Sequence, residues 1–261
     1  MKRYFQGRNA VLVGAGITAL GIATVLILVS VLGSSNGSSS SPPPTVSVTT
    51  TESAATAPST AAKPRIRGAA ATAALFKGVP QRLNQLGDPK AKVTMIEFAD
   101  LQCPYCRDFA VGGLPAIVKE YVRTGKVKLI FSGMEFIGPD SNKALRAVYA
   151  AGLQGKLWNY LDLLYKSQGA ENSGWVTDGL LRQVGDSIPG LDTDKMMADR
   201  SSPDVEAALA ASSQQASSAR VNQTPTFFAG PTGGRLQHIP ITSLGPEAFR
   251  PTLDSLTGSA R

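Results

Sequence analysis

Two cysteines separated by two residues carry the clearest chemical signal in the sequence. Cys103 and Cys106 are the only cysteines among 261 residues, and they enclose Pro104 and Tyr105. A cysteine at the start of a helix lies beside unpaired backbone N–H groups and the positive end of the helix dipole, which stabilise its thiolate. We expect Cys103 to occupy that position and to act as the nucleophile. Cys106, about one helical turn later, is placed to resolve a mixed disulfide on Cys103.

The cysteine pair has two other interpretations. A structural disulfide across two residues would close a very short loop and would therefore stabilise the chain little. A structural zinc site needs four ligands, and His238 is the only histidine that could join the two cysteines. We therefore favour a redox pair, and we expect neither a metal nor another cofactor.

Glu97 is the second candidate for chemistry. It lies six residues before Cys103, inside the otherwise apolar run Lys92–Phe98. A buried carboxylate costs free energy unless it is paired or used. From a strand, Glu97 could face the space under Cys106 and accept its proton. The alternative is a residue at the margin of the strand whose side chain reaches solvent.

Pro225 is the third candidate. It lies in the segment Gln223–Phe227, with the sequence QTPTF, at the predicted start of a strand, where a proline is tolerated. Because cis X–Pro bonds are uncommon, the spacing alone favours a trans bond. A cis bond would turn the backbone of Thr224 outward, where it could pair with an extended substrate chain.

The cysteine pair lies between two predicted strands. Lys92–Phe98 and Val127–Phe131 are apolar and rich in β-branched residues, which predicts buried strands. From Pro104 to Tyr121 the apolar residues are spaced for one helical face, and Pro115 predicts a kink. The strand–helix–strand order predicts a parallel pair with a right-handed crossover.

The second half of the chain is mainly helical by prediction. Four or five helices are expected within residues 138–220. A β-hairpin across a glycine-rich turn then follows at residues 226–241, and a last helix near 246–256. The expected fold class is therefore α/β, with a helical block between two groups of strands.

An apolar segment near the N-terminus predicts a membrane anchor. Residues 10–33 carry no charge and are long enough to cross a bilayer as a helix. Three basic residues within 1–9 predict a cytoplasmic N-terminus. A cleaved signal peptide is the alternative, although its apolar core would be shorter. An anchor would place the rest of the chain outside the cytoplasmic membrane.

Composition divides the remainder of the chain. Residues 34–75 are rich in Ser, Thr, Pro and Ala, so we expect a disordered linker there and a folded domain at 76–261.

The whole chain has a net charge of +7. From Arg65 onward it keeps 22 of 26 basic and 18 of 19 acidic residues, which leaves +4. This modest charge excludes a strongly basic nucleic-acid-binding surface, and no nucleic-acid partner is expected.

The residues around the cysteines resemble a known family. Gly87–Arg107, with the sequence GDPKAKVTMIEFADLQCPYCR, is similar to the start of the DsbA-like thioredoxin-fold proteins, especially the membrane-tethered or secreted forms of Gram-positive bacteria. The later QTPTFF stretch resembles that family's cis-proline loop. The helical block resembles the family's insertion into the thioredoxin core. Across residues 79–256, the resemblance implies a thioredoxin fold with an inserted helical domain.

The resemblance also implies a role for each candidate residue. Cys103 would be the attacking cysteine, Cys106 the resolving cysteine and Glu97 the buried acid. The bond before the loop proline would be cis. Substrate binding would involve the dipeptide between the cysteines and the cis-proline loop: Pro104, Tyr105, Thr224 and Pro225.

One position departs from the strongly oxidising DsbA enzymes. Those enzymes carry a histidine between the cysteines where this chain has Tyr105. Without a histidine-type donor, the thiolate of Cys103 should be less stabilised. The Pro-Tyr dipeptide also resembles glutaredoxins and DsbG isomerase-like proteins. We therefore expect a reduction potential between about −120 mV, as in DsbA, and about −270 mV, as in thioredoxin.

The leading functional hypothesis is an extracytoplasmic dithiol oxidase that acts on exported client proteins with free thiols. The resemblance implies a monomer that is reoxidised by a membrane quinone-linked partner, either DsbB-like or VKOR-like. A disulfide reductase or isomerase of the same fold is the main alternative. A third hypothesis is a tethered binding domain whose disulfide is inert.

Overall fold

The structure is a computed structural model that describes residues 65–259. The expected cytoplasmic N-terminus at 1–9, the anchor at 10–33 and most of the linker at 34–75 lie outside the described residues. Within residues 65–259, no helix has both the length and the apolar character needed to cross a membrane.

A six-stranded mixed sheet forms the centre of the described region, in the order β1 (Gln81–Arg82), β2 (Gln85–Leu86), β4 (Val127–Met134), β3 (Val93–Asp100), β5 (Thr226–Pro231) and β6 (Gln237–His238). The central strands β3 (Val93–Asp100) and β4 (Val127–Met134) are parallel, as predicted. Strand β5 (Thr226–Pro231) pairs antiparallel with the other edge of β3. All eight residues of β3 are buried, so the strand that leads to Cys103 lies inside the core. Three two-residue strands complete the sheet: β1 (Gln81–Arg82), β2 (Gln85–Leu86) and β6 (Gln237–His238).

The helix after the cysteine pair is broken. It consists of α2 (Pro104–Gly112), α3 (Leu114–Ile117) and a π-helical turn at Val118–Val122. The break at Gly113 lies two residues before Pro115, where a kink is predicted. A Cβ atom on Gly113 would lie 2.4 Å from the Leu244 carbonyl oxygen, so the helix meets the loop before the last helix without room for a side chain.

Five helices connect β4 to β5, within the residues where a helical block is expected. The side chains of Trp158, Tyr160 and Tyr165, all on the second of these helices, are fully buried in the core. On β3, successive side chains point to opposite faces of the sheet. Met95 and Ala99 join the main core, whereas Ile96 and Phe98 pack with Ala216 of the last of the five helices. These helices are α4 (Pro139–Leu153), α5 (Leu157–Lys166), α6 (Asp178–Asp186), α7 (Thr193–Asp199) and α8 (Pro203–Ala219).

Helix α1 (Ala69–Phe76) corrects part of the linker prediction. Residues 69–75 are helical, not disordered, because their alanine-rich sequence favours a helix and one face of it is buried. The Thr72 hydroxyl donates a hydrogen bond to the carboxylate of Asp162 on α5. Lys166 Nζ donates to the same carboxylate at 2.6 Å. The folded region therefore begins before residue 76.

The C-terminal elements cover one face of α2, the helix that begins after Cys103. After β6, a 3-10 turn at Pro246–Ala248 leads to α9 (Arg250–Thr257), where a last helix is predicted. Phe249 packs against Phe109 of α2, with ring centroids 5.1 Å apart, and against Phe227 of β5, at 4.8 Å. The predicted second hairpin strand is shorter than expected, since pairing covers only two residues of β6.

Candidate active site

Cys103 lies at the N-cap of α2, as expected. Its backbone is extended, with φ −70° and ψ 119°, and Pro104 is the first helical residue. The missing N–H of a proline at that position is not needed by the helix. Cys103 is 5% exposed, whereas Cys106 is fully buried, and both are free thiols in the structure. Cys103 is therefore the sulfur that a second molecule can approach.

Hydrogen bonds lower the pKa of Cys103 to about 6. The largest contribution comes from the Cys106 thiol, and partial burial of Cys103 acts against it. The Thr224 side chain and the backbone N–H groups of Cys106 and Tyr105 also stabilise the thiolate. Most of Cys103 is consequently ionised at neutral pH.

Burial has the opposite effect on the second sulfur. The pKa of the Cys106 thiol is raised well above its ordinary value, mainly because the group is buried. Its hydrogen bond to Cys103, the negative charge of Cys103 and the charge that Glu97 carries when ionised act in the same direction. The pair therefore combines one ionised sulfur near the surface with one protonated sulfur in the core.

Glu97 lies in the interior of β3, opposite Phe131 of β4 and Phe227 of β5. Its side chain is 4% exposed, so the alternative of a strand-margin residue that reaches solvent is wrong. Within the described part of the chain, Glu97 Oε1 has no hydrogen-bond partner. Burial, with a smaller contribution from the charge of Cys103, raises the pKa of Glu97 to about 8. At neutral pH Glu97 is thus mainly a neutral acid.

The loop before β5 brings a backbone carbonyl to the Cys103 sulfur. The Thr224–Pro225 bond is cis, which the resemblance implied and the spacing alone did not. In its protonated form, the Cys103 thiol donates a hydrogen bond to the Thr224 carbonyl oxygen, with an Sγ–O distance of 3.4 Å. Tyr105, by contrast, points away from the core and is 63% exposed. The structure therefore gathers the cysteine pair, the acid and the proline loop around one end of β3.

Comparison with known proteins agrees with this geometry. A family model described as thioredoxin matches residues 81–245, more than half of the chain. The probable disulfide bond formation protein D of Bacillus cereus is 33% identical over 146 residues, which cover 55% of this chain and 68% of that protein. The chain belongs to the thioredoxin family. Within it, the protein is a DsbA-like thiol:disulfide oxidoreductase.

Solved structures show the same fold for this oxidoreductase. Oxidised BdbD from Bacillus subtilis superposes with a TM-score of 0.58 at 22% identity, covering 69% of this chain and 98% of that chain. A thioredoxin-like oxidoreductase from Silicibacter pomeroyi gives a TM-score of 0.52 at 28% identity, covering 74% of this chain and 99% of the other. The mixed sheet with its helices is thus the thioredoxin-like fold that the resemblance implied.

The loop between β3 and α2 of this oxidoreductase is held by side chains that sequence reasoning missed. Gln168, just after α5, donates through Nε2 to the carbonyl oxygens of Leu101, at 2.8 Å, and Cys103, at 3.1 Å. The Tyr165 hydroxyl donates to the carbonyl oxygen of Asp100 at 3.2 Å. The one sequence signal for this network was Asp100 itself, a charged residue that directly follows an apolar strand.

Proposed function

We propose that this oxidoreductase is a dithiol oxidase that introduces disulfides into exported proteins. The observation that carries the proposal is the contrast between the lowered pKa of Cys103 and the raised pKa of Cys106. A stabilised thiolate favours the reduced form of the pair and makes its disulfide a stronger oxidant. The name of the Bacillus cereus relative, a probable disulfide bond formation protein, supports the same direction.

The first step forms a mixed disulfide. A client thiolate attacks Sγ of Cys103 in the Cys103–Cys106 disulfide, and the bond between the two enzyme sulfurs breaks. The electron pair leaves on Cys106, which takes up a proton because its pKa is raised. Glu97 is a neutral acid at neutral pH, and it lies close enough to Cys106 for its ionised form to raise the pKa of that thiol, so we assign it the role of proton donor.

The second step releases the oxidised client. A second client thiolate attacks the client sulfur of the mixed disulfide, and Cys103 leaves as a thiolate. A pKa of about 6 makes Cys103 a good leaving group at neutral pH. The client has then lost two electrons and gained one disulfide, and the enzyme holds the Cys103 thiolate and the Cys106 thiol.

Client binding is assigned to the surface around Cys103. The exposed dipeptide Pro104 and Tyr105 directly follows Cys103, and the Thr224 carbonyl of the proline loop contacts the Cys103 sulfur. An extended client segment could add to the edge that this loop presents, as in other β-augmentation complexes. The backbone of the loop would orient the client segment, and Tyr105 would supply an apolar contact to it.

Location and reoxidation complete the proposal. An anchor at residues 10–33 and a linker after it would hold a monomeric catalytic domain at the outer face of the membrane. A quinone-linked membrane protein, DsbB-like or VKOR-like, would take the two electrons and restore the disulfide. Tethering would keep the domain near both this partner and emerging clients.

Replacement of the nucleophile tests the function in cells. In a strain whose only copy of the gene for this protein carries Cys103→Ser, we expect exported clients to accumulate with free thiols. Alkylation and a mobility shift detect those thiols. Cys106→Ser is the matched variant: its Cys103 thiolate can still attack a client disulfide, one client sulfur leaves as a thiolate, and no Cys106 thiol is present to resolve the mixed disulfide, so clients should be trapped covalently. Fully formed client disulfides in the Cys103→Ser strain would contradict the proposal.

The redox state in cells separates oxidase from reductase or isomerase. Tyr105, in place of the histidine of the strongly oxidising enzymes, is the residue that favours the alternative. After acid quenching and alkylation, an oxidase should be found mostly with the Cys103–Cys106 disulfide formed. A mostly reduced pair would favour a reductase or isomerase supplied with electrons across the membrane.

A further inference from the structure

Asp100, the last residue of β3, is fully buried and accepts four hydrogen bonds. Oδ1 accepts from the Gln102 backbone N–H at 2.8 Å and from the Ser141 hydroxyl at 2.6 Å. Oδ2 accepts from the backbone N–H groups of Phe136, at 2.8 Å, and Ile137, at 3.1 Å. All four partners are donors, so the site is built for a carboxylate and not for an amide.

These bonds join two segments that are distant in sequence. One is the loop that leads into Cys103, and the other is the loop between β4 and α4 together with the first turn of α4. Gln102 extends the connection, because its Nε2 donates to Ser141 Oγ at 3.0 Å and its Oε1 accepts from the Asn172 backbone at 2.7 Å. The residues just before the nucleophile are thereby tied to the helical block from two sides.

The position of Cys103 depends on the same short loop. Its backbone N–H donates to the carbonyl oxygen of Asp100 at 3.1 Å, which fixes the start of α2 relative to the end of β3. The thiolate is stabilised by several donors at once, from Cys106, Thr224 and Tyr105. Hydrogen bonds weaken steeply as distance and angle depart from the ideal, so a small shift of the loop would weaken all of them.

We propose that Asp100 is a positioning residue for thiol–disulfide exchange. Its carboxylate holds the loop before Cys103 against the β4–α4 loop, and so keeps the Cys103 sulfur within reach of the donors that stabilise its thiolate. Asp100 does not contact the client. It acts on the reaction through the ionisation of Cys103.

Alkylation of the reduced full-length chain tests this role. Asp100→Asn places an N–H group against backbone N–H donors, and Ser141→Ala removes one donor while keeping the charge. We expect the pH midpoint of Cys103 alkylation by iodoacetamide to rise in both. At pH 6 the rate should fall about fivefold for Asp100→Asn and about twofold for Ser141→Ala, which corresponds to rises of about one and about half a pH unit.

Asp162→Asn is the matched control. Asp162 is also buried, at 1% exposure, but its carboxylate binds Thr72 and Lys166 between α1 and α5. This variant should lose stability in urea and keep the wild-type alkylation midpoint. Loss of a negative charge near Cys103 would by itself lower the pKa of the thiol, so the predicted rise for Asp100→Asn has the opposite sign.

The outcome that would overturn the proposal is a folded Asp100→Asn or Ser141→Ala variant whose midpoint stays at the wild-type value. Asp100 would then only stabilise the fold. If Asp100→Asn does not fold, Ser141→Ala alone decides, because it removes only the two hydrogen bonds of the Ser141 hydroxyl, to Asp100 and from Gln102, and no charge. A shift in the Asp162→Asn control equal to that of Ser141→Ala would also overturn the proposal.

Discussion

At the active site, donors from three residues act on the sulfur of Cys103, and the largest contribution comes from the Cys106 thiol. The thiolate therefore needs no histidine between the cysteines to reach a pKa of about 6. That value lies between about 7 for thioredoxin and about 3.5 for DsbA, in keeping with the absence of the histidine. The partner cysteine has two proposed roles: it forms the enzyme disulfide with Cys103, and it stabilises the Cys103 thiolate.

Variants of Cys106 separate these two roles. Cys106→Ala removes the thiol donor, so the pKa of Cys103 should rise above 6, measured as the pH midpoint of iodoacetamide alkylation. Cys106→Ser keeps a hydroxyl donor and should raise the midpoint less. Equal midpoints for both variants and for a reduced wild-type protein would show that the Cys106 side chain does not stabilise the thiolate.

Glu97 predicts a pH dependence of stability in the reduced protein. Its pKa is raised from 4.5 to about 8, so its contribution is fully present below pH 4.5 and is lost as pH rises through 8. Glu97→Gln cannot ionise. The difference in free energy of unfolding, wild type minus variant, should therefore fall across this window, by up to about 1.4 kcal/mol per pH unit.

Urea denaturation of both reduced proteins between pH 5 and pH 8 measures that difference. The lowered pKa of Cys103 has the opposite effect, since its contribution is present above 9.0 and is lost as pH falls through about 6. Both proteins keep Cys103, so this contribution largely cancels in the comparison. Parallel pH profiles for the two proteins would show that Glu97 is not destabilised by burial.

At the scale of elements, the junction between α2 and α3 gives a sharp packing prediction. A Cβ on Gly113 would meet the Leu244 carbonyl oxygen at 2.4 Å, and a backbone atom cannot easily move away. Gly113→Ala should lower the free energy of unfolding by about 1–3 kcal/mol, measured in urea.

The adjacent glycine is the control for this prediction. Gly112 ends α2, and a Cβ there would meet nothing within 4 Å. Gly112→Ala should be neutral or stabilising by up to about 1 kcal/mol, because alanine favours a helix more than glycine does. Similar effects of the two substitutions would contradict the close contact at Gly113.

Long periodic elements were predictable from the sequence, and short or compound ones were not. The runs that became β3 and β4 have enough apolar residues to define a strand, whereas β1 and β2 have only two residues each and no detectable period. The burial of Glu97 followed from its apolar neighbours. The Asp100 network did not, because three of its four partners lie 36 to 41 residues away and become neighbours only in the fold.

The cis state of the Thr224–Pro225 bond shows a different limit. Local sequence gives no physical reason to prefer cis, and only the family resemblance implied it.

The pKa contrast between the cysteines was partly predictable. The helix start at Cys103 followed from Pro104, but the contribution of Thr224 depends on a loop that is distant in sequence.

In the whole molecule, we expect the anchoring and catalytic regions to be separable. The full chain should fractionate with membranes, as expected for an anchor at residues 10–33. A form that starts at residue 34 behind a cleavable export signal should be released and should keep the alkylation midpoint of Cys103. Fractionation and blotting locate both forms. Recovery of the full chain in the soluble fraction would contradict the anchor.

The reduction potential of the Cys103–Cys106 pair in the purified full chain tests the oxidase proposal most directly. Equilibration with glutathione buffers of defined potential, followed by alkylation, measures it. We predict a value between about −120 mV and about −270 mV, since the pKa of Cys103 lies between those of DsbA and thioredoxin. A potential at or below about −270 mV, the value of the reductant thioredoxin, would contradict the oxidase.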